Sequence, residues 1–251
     1  MRLEEDPATA ARWLPDACFC TRFGVFVVRH GGRTILIDCG LGPGPIAYFP
    51  GLVGGLPLQL GTIGLTTEAV DLVVFTHLHL DHVGWAVDGD GRPRFANARY
   101  IVGAEEWAHW DGLGERAGLP HHVAGVRNSV APLARAGRLD CVEAGARIAA
   151  GVTLIDSAGH SPGHRSVLVE AGDRRVLITG DLWHNPAQIA RPGWCHRADM
   201  NKAAAIAARR RIRDAALDNG WLIASGHFLE EDVFGRIERV AGEARFVPLP
   251  G

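Results

Sequence analysis

Apolar residues along this chain come in short runs rather than long helical stripes. Phe23-Gly24-Val25-Phe26-Val27-Val28-Arg29-His30, Thr34-Ile35-Leu36-Ile37-Asp38, Leu72-Val73-Val74-Phe75 and Arg99-Tyr100-Ile101-Val102 are rich in β-branched and aromatic side chains. Runs of that length and composition predict strands. His30-Gly31-Gly32-Arg33, between the first two, predicts a hairpin turn. The same rhythm continues beyond Arg138, with strands expected over Leu139 to Glu143, Val152 to Asp156, Ser166 to Glu170, Arg175 to Thr179 and Arg245 to Leu249. Trp221-Leu222-Ile223-Ala224 is also strand-like. The clearest helix runs from Asp199 to Leu217; it is Ala-rich and stops at Asn219-Gly220. Its Arg209-Arg210-Arg211 run with Arg213 reads as a solvated face, because Asp214 and Asp218 share the helix. A less regular helical segment opens at Glu105-Glu106-Trp107 and extends to about Asn128. Residues 40–65 are dense in Gly, Pro and apolar side chains, too irregular for a helix, and read as a lid or a dimer contact. Residues 1–20 are a polar lead-in, with Trp13 and Phe19 as anchors onto the body.

Length and charge narrow the classes. The chain has 251 residues, 47% hydrophobic and 22% charged, with a net charge of −2. This fits one α/β (α+β) domain over residues 1–251 with a sizeable core. Nothing at whole-chain level points to nucleic acid or an anionic membrane surface. The acidic start Met1-Arg2-Leu3-Glu4-Glu5-Asp6-Pro7 does not look like a signal peptide, and no apolar run reaches the length of a membrane span. Cys18, Cys20, Cys39, Cys141 and Cys195 are odd in number and scattered, which favours free thiols in a reducing cytoplasm.

The chemistry concentrates in Thr76-His77-Leu78-His79-Leu80-Asp81-His82-Val83-Gly84, directly after an apolar strand. If the chain stays extended for a few residues, His77 and His79 project to the same side. Asp81 and His82 then approach from another direction. One loop can offer His77 and His79 to one metal ion, and Asp81 and His82 to a second. Imidazole nitrogen mixed with carboxylate oxygen suits Zn²⁺.

His77-x-His79-x-Asp81-His82 resembles the signature of the metallo-β-lactamase superfamily. Further segments follow in the family's order. These are Gly159-His160-Ser161-Pro162-Gly163-His164, Thr179-Gly180-Asp181, Ser225-Gly226-His227-Phe228 and, upstream, Ile35-Leu36-Ile37-Asp38-Cys39-Gly40. The resemblance covers about residues 23 to 230. It implies an αββα sandwich of two β-sheets flanked by helices. It also implies two divalent metal ions, with Zn²⁺ as the default. His77, His79 and His160 would hold the first, Asp81, His82 and His227 the second, and Asp181 would bridge. A bridging hydroxide would attack the substrate, with Asp81 also able to relay a proton. Asp38 and His164 would support these ligands without binding metal. His109, His121 and His122 are read as surface or pocket-rim residues, since the ligand set is filled from elsewhere.

Within the family the layout is similar to the acyl-homoserine lactonase and methyl parathion hydrolase group. The lactonases usually carry Tyr three residues after the bridging Asp. Here that position is His184, which moves the resemblance toward the organophosphate hydrolases. His184 could hydrogen-bond a substrate oxygen, protonate a leaving group, or simply pack. Phe49, Trp85, Trp110 and Phe228 are candidate walls of a substrate pocket. The expectation is a hydrolase of small lactones or esters. Phosphotriester or thioester hydrolysis on the same site is the alternative, and a metal-binding protein without catalysis the rival from another class. The partner is a small molecule, and a homodimer is compatible with the apolar loop.

Overall fold

The computed structural model describes residues 21–44, 46, 48–112, 120–229 and 232–250. Trp13, Phe19, Cys18, Cys20 and Pro45 lie outside them, as does the stretch 113–119 of the second helical segment. The chain divides into two compact units, Phe23–Thr153 and Leu154–Gly251 with Met1–Arg22.

The first unit is built on a sheet of strands β1 (Phe26–His30), β2 (Arg33–Ile37), β3 (Leu72–Val74), β4 (Arg99–Gly103) and β5 (Leu139–Val142), in that order. The expected hairpin joins β1 to β2, with His30 paired to Arg33 and both intervening glycines at positive φ, 58° and 74°. Strands β2 to β5 run parallel. Val73 and Tyr100 on their pleat, with Phe75, Phe95 and Leu133, belong to the core of this unit. Residues 40–65 contain a helix after all, Leu56–Thr62, opened by Pro57 in its first turn. Proline's fixed φ suits that position, so its presence did not exclude a helix. A short strand β6 (Arg147–Ala149), too brief to stand out from its turns, pairs with the first residues of β7 (Val152–Asp156).

The second unit carries β8 (Arg165–Ala171), β9 (Arg174–Ile178), β10 (Leu222–Ala224), β11 (Phe234–Val240) and β12 (Glu243–Pro248), in the order β12-β11-β10-β9-β8. Only β9 and β10 are parallel there. Strand β11 carries no clear strand signal in the sequence, because its buried positions are Gly235 and Ile237 alone, among charged neighbours. The long helix begins at Lys202, not Asp199, capped by the Asn201 side chain on the Ala204 N–H. Ala205, Ala208, Arg209, Ile212 and Ala216 form its buried stripe. Arg209 is therefore not solvated, whereas Arg210 and Arg211 are exposed. Both units mix sheets with helices, the α+β class. No described helix is long and apolar enough to cross a membrane.

Candidate metal centre

In each unit two neighbouring parallel strands end beside candidate ligands, where backbone groups are no longer committed to the ladder. In the first unit β2 and β3 end side by side, with Ile37 paired to Val74. Asp38 follows β2 at φ 65°, a conformation that Asp tolerates better than most residues. Its Oδ1 accepts the Thr76 N–H at 2.8 Å, and its Oδ2 faces His82 Nδ1 at 2.8 Å. Thr76 Oγ1 donates to Asp38 Oδ2 at 2.9 Å and lies 3.1 Å from His77 Nδ1. A hydroxyl has one proton, so His77 Nδ1 is the donor to Thr76. Asp38 thus orients two imidazoles, as expected. The rings of His77 and His79 lie 4.5 Å apart and those of His77 and His82 4.1 Å apart, all buried. Asp81 Oδ2 is 3.6 Å from His82 Nε2. A short helix, Leu80–Val83, provides the change of direction after His79.

This turn is held from outside the motif. The Gly84 N–H donates to Gly40 O and the Cys39 N–H to His82 O. A Cβ at Gly84 would sit 2.0 Å from Gly42 N, so only glycine lets the two segments cross. Glu106, fully buried, accepts the Leu78 N–H at 3.0 Å and the Trp110 indole at 2.7 Å. His122 accepts the Leu80 N–H and stacks on His79 at 3.9 Å. Glu106 has no such role assigned from the sequence. His122 was read as rim, and the buried face of Ala104–Gly112 shows no apolar stripe to reveal Glu106. His121 lies tilted against His122 at 4.1 Å and stacks on Tyr48 at 3.9 Å.

In the second unit three imidazoles surround Asp181. His160 Nε2 and His184 Nε2 lie 3.2 and 3.1 Å from Oδ2, and His227 Nε2 lies 2.9 Å from Oδ1. Asp181 follows β9 and His227 follows β10, whose ends pair Ile178 with Ala224. His164 accepts the Asp181 N–H on Nε2 at 2.9 Å, with Nδ1 on Ser157 Oγ at 2.7 Å. It thereby positions the Asp181 backbone. His227 Nδ1 donates to Arg22 O at 2.6 Å. His160 Nδ1 faces Asp199 Oδ1 at 3.0 Å, and Asp199 Oδ2 accepts from Arg209 at 2.8 Å. Burial works against charge on His160, but Asp181 and then Asp199 outweigh it and raise its pKa to about 9. Burial pushes His184 well below the usual histidine range. Burial also lowers His196, which stacks on His184 at 4.1 Å, to about 4.

The four aromatic pocket candidates are placed differently from one another. Phe228 is a core residue rather than a wall, edge-on to Phe246 at 5.2 Å. Trp110 is buried, with its indole N–H on Glu106. Trp85 donates to Gly54 O and lies beneath Arg94. Phe49 is half-buried, against Phe23 and Tyr48.

Comparison with known proteins bears on this geometry. The metallo-β-lactamase superfamily domain matches residues 25–227. A probable metallo-hydrolase of Mycobacterium bovis is 28% identical over 188 residues, 64% of this chain and 56% of that protein. An N-acyl homoserine lactonase of a Bacillus species is 22% identical over 174 residues, 69% of this chain and 62% of that protein. The chain thus spans less than two thirds of the length of these curated relatives. Among solved structures, hydrolase AbOPH of the β-lactamase superfamily superposes with a TM-score of 0.86 at 25% identity, over 99% of this chain and 89% of its own. The dizinc quorum-quenching lactonase AidC does so at 0.76 and 19% identity, over 90% and 79%. With the ordered His and Asp motifs lying inside the matched residues, this chain belongs to the metallo-β-lactamase superfamily.

Proposed function

We propose that the two compact units make one domain and that the chain is a dinuclear metal-dependent hydrolase of small lactones or esters. One observation carries the reading. His77, His82, His160 and His227 each give Nδ1 to a fixed partner, namely Thr76, Asp38, Asp199 and the Arg22 carbonyl. An imidazole that donates from Nδ1 keeps its Nε2 lone pair for a cation. Four rings in that state, with His79, Asp81 and Asp181, are a donor set that fits Zn²⁺ or a similar ion. His77, His79 and His160 would hold one ion, Asp81, His82 and His227 the other, and Asp181 both. In the metal-free chain Asp181 and Asp199 favour a second proton on His160, and a bound ion would take the place of that proton on Nε2.

Bound ions supply Lewis acidity and an acidified water, which removes the need for a Ser or Cys nucleophile. Asp81 is left to accept and pass on a proton. His184 donates Nε2–H to Asp181, and its burial keeps it neutral, so it serves as a hydrogen-bonding group beside the bridge rather than as a strong acid. Phe49, half-buried beside Tyr48, is the aromatic candidate retained for contact with substrate.

The lactonase relatives favour lactones, and His184, where the resemblance to the lactonases would put Tyr, keeps phosphotriesters as the second substrate class. Free Cys39, Cys141 and Cys195 support a reducing compartment such as the cytoplasm. Exposed Leu52, Val53 and Leu58 support a dimer, which solution mass across concentrations tests.

The deciding experiment measures metal per chain and turnover of a γ-lactone with a long acyl chain, an aryl ester, a thioester and an aryl phosphotriester. About two ions per chain, with lactone or ester turnover lost on chelation, is the expected result. A chain that takes up no metal on reconstitution would overturn the reading.

A further inference from the structure

Arg209 sits in the middle of an Arg-Arg-Arg run, yet it alone of the three is turned inward, with none of its side chain exposed. Removing a guanidinium from water is costly unless its donors are matched. Here they are. Nε donates to Leu182 O at 2.7 Å, and a terminal nitrogen donates to Asp199 Oδ2 at 2.8 Å. Leu182 is the residue after Asp181. Asp199 Oδ1 faces His160 Nδ1 at 3.0 Å, and Oδ2 also accepts the His196 N–H at 2.8 Å. One planar cation therefore reaches two separate ligand-bearing segments, the His160 loop through a carboxylate and the Asp181 turn through a carbonyl. The backbone tightens the first link, since the Met200 and Asn201 N–H groups donate to His160 O and Gly159 O.

A third ion on His160, His184 and Asp199 is the competing use of this cluster, because their ligand atoms lie within 4.8 Å of one another. Both oxygens of Asp199 are already engaged, and a further cation would sit beside a buried guanidinium in a medium that screens poorly. Positioning is the reading that the charges favour.

We propose that Arg209 and Asp199 are a positioning pair, holding His160 with its Nε2 toward the centre and fixing the turn that presents Asp181. This rests on the dinuclear reading above. Neither residue touches substrate in this account. Lys in place of Arg209 would be a poor substitute, since a point charge cannot hold both acceptors in one plane.

The test is zinc affinity by competition with a chelator, the visible spectrum of the cobalt-loaded protein, and thermal unfolding, on wild type, D199N, R209M, D199N/R209M and R210M. The double variant leaves no unpaired buried charge and keeps the test open where a single variant fails to fold. D199N, R209M and the double variant should bind zinc about ten- to a hundredfold more weakly, with altered cobalt bands, while R210M matches wild type. Folded variants that hold zinc within about twofold of wild type would overturn the proposal while leaving the dinuclear reading intact. A lower unfolding temperature with unchanged zinc affinity would make the pair merely structural and overturn it too. No zinc on wild type would remove the dinuclear reading itself, and this proposal with it.

Discussion

Single residues in this protein are defined by the partner of their second polar atom. Asp38 shows the effect most clearly. It satisfies the Thr76 amide and hydroxyl and the His82 ring from a buried position. Asp38→Ala leaves those donors unmatched in the core, so it should cost about 3–5 kcal/mol in a urea titration. His184 poses a sharper question. Its Nε2 is on Asp181, and its ring lies parallel to those of His196 and His227. His184→Phe keeps the stacking and removes the hydrogen bond. Turnover should fall about 10²-fold with metal content unchanged. An equal loss of metal would make His184 a ligand. On the proposed dinuclear reading, Asp181→Asn should lower metal content at both sites and abolish turnover while circular dichroism stays native.

At the scale of elements, the ligand loops depend on close backbone approaches. The His160 loop lies against the start of helix Lys202–Asn219, and Gly159, at φ 141°, is where they meet. A Cβ there would sit 2.2 Å from Ala205 N. Neither backbone can yield cheaply, so Gly159→Ala should destabilise by more than about 3 kcal/mol and weaken zinc binding as His160 moves. An alanine variant with native stability and native zinc affinity would show that the loop does not need the helix. The same helix explains why its arginine run misled the sequence reading. Charge composition argued for a solvated face, but Arg209 falls on the stripe of Ala205, Ile212 and Ala216, spaced three or four residues apart. That spacing is present in the sequence and outranks charge composition. The Pro57 helix within residues 40–65 was hidden for the opposite reason, since seven residues are too few to show a period.

For the whole molecule, the proposed metal site would link pH and metal through His160. Its pKa is near 9 in the metal-free chain, against 6.5 for a free histidine, because Asp181 and Asp199 outweigh burial. The folded state therefore holds the proton more tightly than the unfolded one. The stability this contributes is complete below pH 6.5 and is lost as pH rises through 9, on the order of 3 kcal/mol. Chemical unfolding of metal-free protein at a series of pH values checks the sign. Zinc at 100 times its dissociation constant should add about 2.7 kcal/mol by mass action, and a chelator should reverse it.

What the chain settled by itself was the local chemistry. His77, His79, Asp81 and His82 lie within six residues, and His160, Asp181 and His227 each follow or precede a recognisable strand, so order and donor type were legible without coordinates. The parallel strands β2 to β4 were legible too, as short apolar runs. Tertiary structure decided everything that depends on residues far apart becoming buried together. Asp199 was read as the first residue of a helix, and only folding sets its carboxylate between His160 and Arg209. Glu106 and His122 looked like ordinary polar positions until burial left the Leu78 and Leu80 amides in need of acceptors. A ligand can be recognised from its neighbours along the chain. Its tautomer and orientation come from groups the chain brings in from elsewhere, because a buried donor must find a partner wherever the fold supplies one.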